Sequence, residues 1–352
     1  MNDLAMAKYG MPVRELAFLT GKEVAMLLDL LPEEMRLLPS GLPVVKLKAT
    51  EVRELLIRLG FVYPSLKLSV MNLKGGVGKT TTAVSIASRA VQYGVKTCLL
   101  DMDAQGSASL ALGVIPDEDD PVFNDVWQNP GEMVPKALRQ LDDSFYLLPS
   151  GLENSLLDVS LMNPVSQKKA VKGVCDVLSS MGFDLVIVDC PPSLGAAVIS
   201  SSCAADMVLI PVASDAFSFR GVKLTVEEIK TIRETFGLGE IKFRVLATMV
   251  DRRQKLCESS MEKLKQTYGE YLMSGTIRTS TDYSKALEKR ETVFASARKS
   301  HAREDYDIVV RNLLNFEKYF EPVKESDHGE QPGDGSERGN HQEEAATIRA
   351  AE

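Results

Sequence analysis

Cysteine is scarce in this chain: five in 352 residues, at positions 98, 175, 190, 203 and 257, with no Cys-x-x-Cys pair. An odd, scattered set excludes a disulfide frame, a cysteine-built zinc site and a cysteine-ligated cluster. Long apolar runs are missing as well. No stretch approaches the roughly 18 residues that mark a membrane span, and the opening MNDLAMAKYG lacks the basic-then-apolar order of a secretion signal. Membrane insertion and export are therefore not expected, and the cytoplasm is the default location. Nor is there an excess of base. Lys+Arg number 41 against 49 Asp+Glu, a net charge of −8, which argues at first against nucleic acid as a partner.

What is present is an ordinary soluble composition, 44% apolar and 26% charged, with enough apolar material for a large core. Single domains rarely exceed roughly 250–300 residues, so appendages are expected. The charge is unevenly placed. Residues 101–160 hold 12 acids against 2 bases, and residues 321–352 hold 9 against 3 with little to bury; the latter reads as an acidic disordered tail. Residues 241–300 run the other way, 13 bases against 7 acids.

From about Leu66, short apolar runs alternate with helical patterns, the mark of βαβ units feeding a parallel sheet. Strands are predicted at Lys67–Leu73, Thr97–Asp101, Tyr146–Leu148, Leu185–Val188, Met207–Val212, Arg244–Val250 and Met273–Ile277. Helices are predicted at Thr80–Gln92, Lys168–Ser180, Val222–Phe236, Glu258–Tyr268 and Asp305–Phe320. Residues 1–65 form a small helical preface: Val24, Leu27, Leu28 and Leu31 share one helical face, as do Val52, Leu55, Leu56 and Leu59, with Thr50 as N-cap and Gly60 closing. Its net charge is zero and it shows no basic recognition helix, so packing on the core or on a second subunit is preferred to operator binding.

Three motifs carry chemistry. Asn72-Leu73-Lys74-Gly75-Gly76-Val77-Gly78-Lys79-Thr80-Thr81 follows a predicted strand and opens a predicted helix. In that setting glycines let backbone N–H groups converge on phosphate oxygens, Lys79 meets the β- and γ-phosphates, and the Thr80 hydroxyl ligates Mg²⁺. Two acids, Asp101 and Asp103, close the next strand and face the same crevice. A third apolar strand ends in Asp189-Cys190-Pro191-Pro192-Ser193, where a carboxylate can hold Mg²⁺ through water. Cys190 reads as packing.

The position five before Gly78 is Leu73, where an ordinary phosphate loop has glycine, and a second lysine, Lys74, precedes the glycine pair. Here the chain resembles the deviant Walker ATPases of the ParA/MinD group, and the likeness to ParA/Soj-type partition ATPases runs from about Lys67 to Phe320. The resemblance implies a P-loop α/β fold over residues 66–320 with a mostly parallel twisted sheet. It also implies that Lys74 reaches the nucleotide of a dimer partner, that Asp103 positions the attacking water, and that Asp101 stands in the outer shell of the Mg²⁺ site. Ala104 replaces the proline usual in the D-x-D-P-Q form. The strand and loop through Phe217–Val222, and the next through Leu246–Arg253, correspond to the family's base-side elements.

By the same resemblance the ATP-bound homodimer binds DNA non-specifically on the nucleoid, and a ParB-like centromere-binding or cargo adaptor protein stimulates slow hydrolysis. The basic segment is the expected DNA surface, through Arg252, Arg253 and Arg278, then Lys285, Lys289 and Arg290, and finally Arg298 and Lys299. A MinD-type membrane anchor is not expected, because the C-terminal segment is acidic. Alternatives are a regulator of its own operon or a ParA-like ATPase positioning a non-DNA cargo.

Overall fold

Apolar runs too short for helices, bounded by turn residues, become strands. In the computed structural model, which describes residues 8–32, 46–214, 218–251, 253–296 and 298–319, these are β1 (Met11–Pro12), β2 (Lys46–Leu47), β3 (Leu66–Val70), β4 (Thr97–Asp101), β5 (Arg139–Asp142), β6 (Phe145–Leu148), β7 (Leu185–Asp189), β8 (Met207–Ala213) and β9 (Lys242–Thr248). Strands β3 to β9 form one sheet in the order β5-β6-β4-β7-β3-β8-β9, parallel except for the β5–β6 hairpin at one edge. The expected α/β class with a mostly parallel sheet is what the chain adopts.

Side chains alternate along each strand between two cores. Leu99 and Ile187 face one core, while Cys98, Leu100, Val186 and Val188 face the other. Every residue of β4 and β7 is buried, which is why these strands read as unbroken apolar runs. The first five helices are α1 (Val13–Thr20), α2 (Val24–Asp29), α3 (Ala49–Arg58), α4 (Lys79–Gln92) and α5 (Ser107–Ala111), and longer ones follow at Pro164–Ser180, Ser218–Thr235, Lys255–Tyr268 and His301–Leu313. Helices α1, α3, α4 and His301–Leu313 cover the first core; Pro164–Ser180 and Ser218–Thr235 cover the second.

The N-terminal segment shares the first core. Tyr9, Leu16, Leu27, Leu47 and Leu56 pack in one cluster with Leu68, Ile86, Tyr306 and Phe316. A buried ionic network pins it there: Arg89 on α4 pairs with Glu15 of α1 at 2.8 Å and with Asp307 at 2.5 Å, and Glu15 also takes Arg303 at 2.9 Å. The composition changes near residue 65, yet among the described residues the packing has no seam there.

Three expectations are corrected. Thr50 lies inside α3, whose N-cap is Lys48; the backbone N–H and hydroxyl of Thr50 both donate to Asp143 in the β5–β6 turn, so a distant carboxylate satisfies the helix start. Met273–Ile277 makes ladder-like bonds to β9 only at Met273 and Ile277 and is not a strand, because Ser274-Gly275 interrupts the run and Gly275 presses against helix His301–Leu313, where a Cβ would meet Ile308 at 3.1 Å. The closing helix starts at His301 and ends at Leu313, with a 3₁₀ turn at Glu317–Tyr319. The acidic tail and Phe217 lie outside the described residues.

Candidate functional site

The carboxyl ends of β3, β4 and β7 meet at one rim, where an α/β sheet places its ligand crevice. After β3 the chain turns through the glycine loop into α4. Gly76 and Gly78 sit at φ +72° and +84°, conformations that only glycine adopts cheaply. A Cβ at Gly75 or Gly76 would meet nothing within 4 Å, so the loop backbone borders open space.

Partners remote in sequence hold the loop in shape. The Asn72 side chain donates to Pro211 O at 2.7 Å and accepts from the Lys74 N–H at 2.9 Å. The Leu73 N–H donates to the Thr225 hydroxyl at 3.3 Å, and the Thr248 hydroxyl donates to Val77 O at 2.8 Å. Gly221 approaches from helix Ser218–Thr235, where a Cβ would lie 3.0 Å from Asn72. That helix therefore braces the loop from behind.

Lys79 is buried, and its ammonium donates to Lys74 O at 3.3 Å. Burial pushes its pKa below the ordinary lysine value, against the pull of Asp189, Cys190 and Asp103. A desolvated cation beside an open loop favours an incoming anion.

The acids divide by their bonding. Asp101 and Asp189 lie opposite each other in the β4–β7 register, both fully buried. Asp101 is occupied: it accepts from the Ser109 N–H and hydroxyl, both at 2.8 Å, and from the Asp103 N–H at 3.3 Å. Burial raises its carboxyl to about 6 while those bonds restrain the rise. In Asp189 neither oxygen has a hydrogen-bond partner. Burial, then the Asp101 charge, holds its carboxyl well above the usual range, opposed by the nearby Thr80 hydroxyl, which stands outside hydrogen-bond geometry, and by the Lys79 charge. An orphaned buried carboxylate next to the Thr80 hydroxyl suits a hydrated hard cation. Asp103 is less buried and bonds to the Gln105 N–H at 3.0 Å, while its carbonyl takes the Ser150 hydroxyl at 2.6 Å. Cys190 packs against Ser69 and Ser201, its thiol pushed by burial to about 11.

A cavity of about 740 Å³ lies against the loop, lined there by Gly75, Gly76, Lys79, Thr80, Thr81 and Asp103. The rest of the lining includes Thr248 and Met249 at the end of β9, beside the loop, and the segment 277–293 with Tyr306. Tyr283 contributes a buried hydroxyl without a partner, and Tyr306 bonds to Thr82 of α4 at 3.0 Å. Of the lining from 277 onward, sequence reasoning named only Arg278, as a DNA contact, because the tyrosines lie some 200 residues from the loop.

A family model described as an AAA domain, AAA_31, matches residues 66–245, half of the chain. The chain belongs to that family. Its relatives place it among ParA/MinD-type ATPases. It is 26% identical over 244 residues to the cell division protein PomZ of Myxococcus xanthus, covering 69% of this chain and 76% of PomZ. It is 25% identical to the chromosome partitioning protein ParA of Caulobacter vibrioides, covering 72% and 96%. The solved structure of a cobyrinic acid a,c-diamide synthase from Mycobacterium smegmatis, with a bound ATP analogue and magnesium, superposes with a TM-score of 0.60 at 26% identity, covering 73% of this chain and 96% of that one.

In this ParA-type ATPase the expected basic residues separate. Arg278 is spent: it chelates Asp305 with distances down to 2.5 Å and lines the cavity wall. Arg253 folds back on Asp251 at 2.8 and 2.9 Å. Lys285, Lys289, Arg290, Arg298 and Lys299 are exposed. Arg252 lies outside the described residues.

Proposed function

We propose that this ParA-type ATPase binds and slowly hydrolyses ATP with Mg²⁺, forms an ATP-dependent sandwich dimer, and binds DNA non-specifically to drive plasmid or chromosome partition, its hydrolysis stimulated by a ParB-type partner. The nucleotide half rests on one observation: an orphaned buried carboxylate, Asp189, beside a desolvated Lys79 under an open glycine loop. A relative holding an ATP analogue and magnesium supports the same assignment.

The loop N–H groups and Lys79 would bind the β- and γ-phosphates, and Thr80 with Asp189 would hold Mg²⁺, which neutralises charge developing on the transferred phosphoryl group. Asp101 fastens the Asp103 turn to α5 through Ser109, fixing where Asp103 points. Asp103 orients water for in-line attack, and Lys74 serves the nucleotide of the facing subunit. This makes ATP occupancy and dimerisation one equilibrium.

Partition as the output is supported by relatives named for chromosome partitioning and, in PomZ, for cell division. Light scattering and retention on random duplex DNA, each with and without ATP·Mg²⁺, test it. ATP-dependent doubling of mass and ATP-dependent retention are expected. Bound ATP with neither effect refutes the partition half.

A further inference from the structure

We propose that the N-terminal extension forms part of the sequence-independent DNA surface, as the second half of a composite basic face made with residues 285–299. This rests on the DNA-binding reading above and deepens it. Residues 8–22 run alongside residues 290–303 and touch them at intervals along their length. The Lys8 ammonium donates to Arg290 O at 3.4 Å. Gln92 spans both segments, donating to Gly10 O at 3.5 Å and Phe294 O at 3.1 Å. Glu15 binds Arg303 at 2.9 Å. At the far end the Lys299 ammonium sits 5.8 Å over the ring of Phe18, an aromatic that is 66% exposed.

Bases outnumber acids on this face, with exposed Glu23 directly after Lys22 and exposed Glu288 beside Lys289. Residues 8–22 and 285–299 together hold eight Lys and Arg against three acids, and one of the acids, Glu15, is consumed by Arg89 and Arg303. Arg14 and Phe18 stand one turn apart on the exposed side of α1, and Lys22 follows its C-cap. Among the described residues none of Arg14, Lys22, Lys289, Arg290 or Arg298 is paired with a carboxylate. Unpaired, exposed and held on a rigid frame by Glu15, such cations suit phosphates spaced along a duplex. No base-reading helix is offered, since the exposed residues of α2 are Ala25, Met26 and Asp29. The occupant is therefore the DNA backbone in any sequence.

The test compares the full chain with K8A/R14A/K22A and with K169A/K223A/K230A, three exposed lysines on helices of the opposite core. Each is titrated with a random 30-base-pair duplex in ATP·Mg²⁺ across a salt series, with ATP binding and melting temperature as folding controls. Each lost phosphate contact lowers the salt slope of log affinity by about 0.9. The first variant should therefore lose up to about 2.7 from the slope, so that between 50 and 200 mM salt the wild type weakens about 40-fold more than the variant. ATP hydrolysis without DNA stays unchanged, and the second variant keeps the wild-type slope. Equal slopes in wild type and first variant, or an equal drop in both variants, overturn the inference and leave the DNA reading standing. If ATP-bound wild type itself shows no salt-dependent binding, the DNA reading fails and this inference falls with it.

Discussion

Asp189→Asn separates what Asp189 costs the folded chain from what it does for the nucleotide. Both oxygens of this fully buried carboxylate lack partners, and a buried polar group left unsatisfied costs about 1–3 kcal/mol, more when charged. Burial holds this carboxyl well above its usual range, so folding near neutral pH must take up a proton; asparagine keeps the shape and avoids that uptake, so the nucleotide-free protein should gain about 1–2 kcal/mol. For a domain of this size that raises the melting temperature by about 2–5 °C. The sign reverses with ligand. ATP·Mg²⁺ at about a hundred times its dissociation constant stabilises the wild type by about 2.7 kcal/mol, and the part that depends on Mg²⁺ should vanish in the variant. Scanning calorimetry on three samples of each protein decides it: free, with ATP and EDTA, and with ATP and Mg²⁺. A variant that melts below the wild type when free, or that shows the full Mg²⁺-dependent shift, refutes the reasoning.

Other outcomes follow from the same geometry. Asp103→Ala should lower hydrolysis at least about a hundredfold while ATP still binds, leaving a long-lived ATP-bound dimer measurable by steady-state turnover and light scattering. Lys74→Gln should bind ATP as a monomer; an ATP-dependent dimer at wild-type concentration would rule out its action across the interface. Arg89→Ala removes the buried cation between Asp307 and Glu15, leaving them Arg311 and Arg303, and should cost about 3 kcal/mol in denaturant unfolding. Burial pushes the Asp307 carboxyl up, but Arg89 and Arg311, with bonds from Tyr93 and Arg89, outweigh it and hold the pKa below the usual value. Because the folded pKa is the lower one, the stability it brings is complete above the unfolded value near 4 and is lost as pH falls through the folded one. The stability gap between wild type and Asp307→Asn should be flat from pH 5 to 7 and close below about pH 4.

The loop from Lys74 to Thr81 was legible because its parts are consecutive: strand, glycines, lysine, threonines and helix declare one another within twenty residues. Asp101 and Asp189 were equally legible as strand-end acids, yet their difference was not. Whether a buried carboxylate is occupied depends on Ser109 and on the pairing of β4 with β7, which strand sequences do not reveal. Among helices, α1 was missed although Val13, Leu16, Ala17 and Thr20 carry the period; Gly21 at φ +63° closes it. Helix Ala196–Ala204 was missed for a better reason. Most of its side chains are buried and it has no polar face, so it carries no amphipathic signal.

Charge shows the same division between what composition counts and what folding spends. The segment 241–300 announced itself by its excess of base, but Arg278 is consumed by Asp305 and Arg253 by Asp251, so part of that excess never reaches a partner. Residues 1–65 read as neutral, which favoured packing over DNA binding, yet folding engages Glu15 with Arg89 and Arg303 and leaves Arg14 exposed beside Phe18. A segment neutral in sum can thus present cations along residues 8–22 once Glu15 is engaged by Arg89 and Arg303. The quantity that predicts a phosphate surface is the set of cations left over after the internal pairs have formed, and that set exists only in the fold.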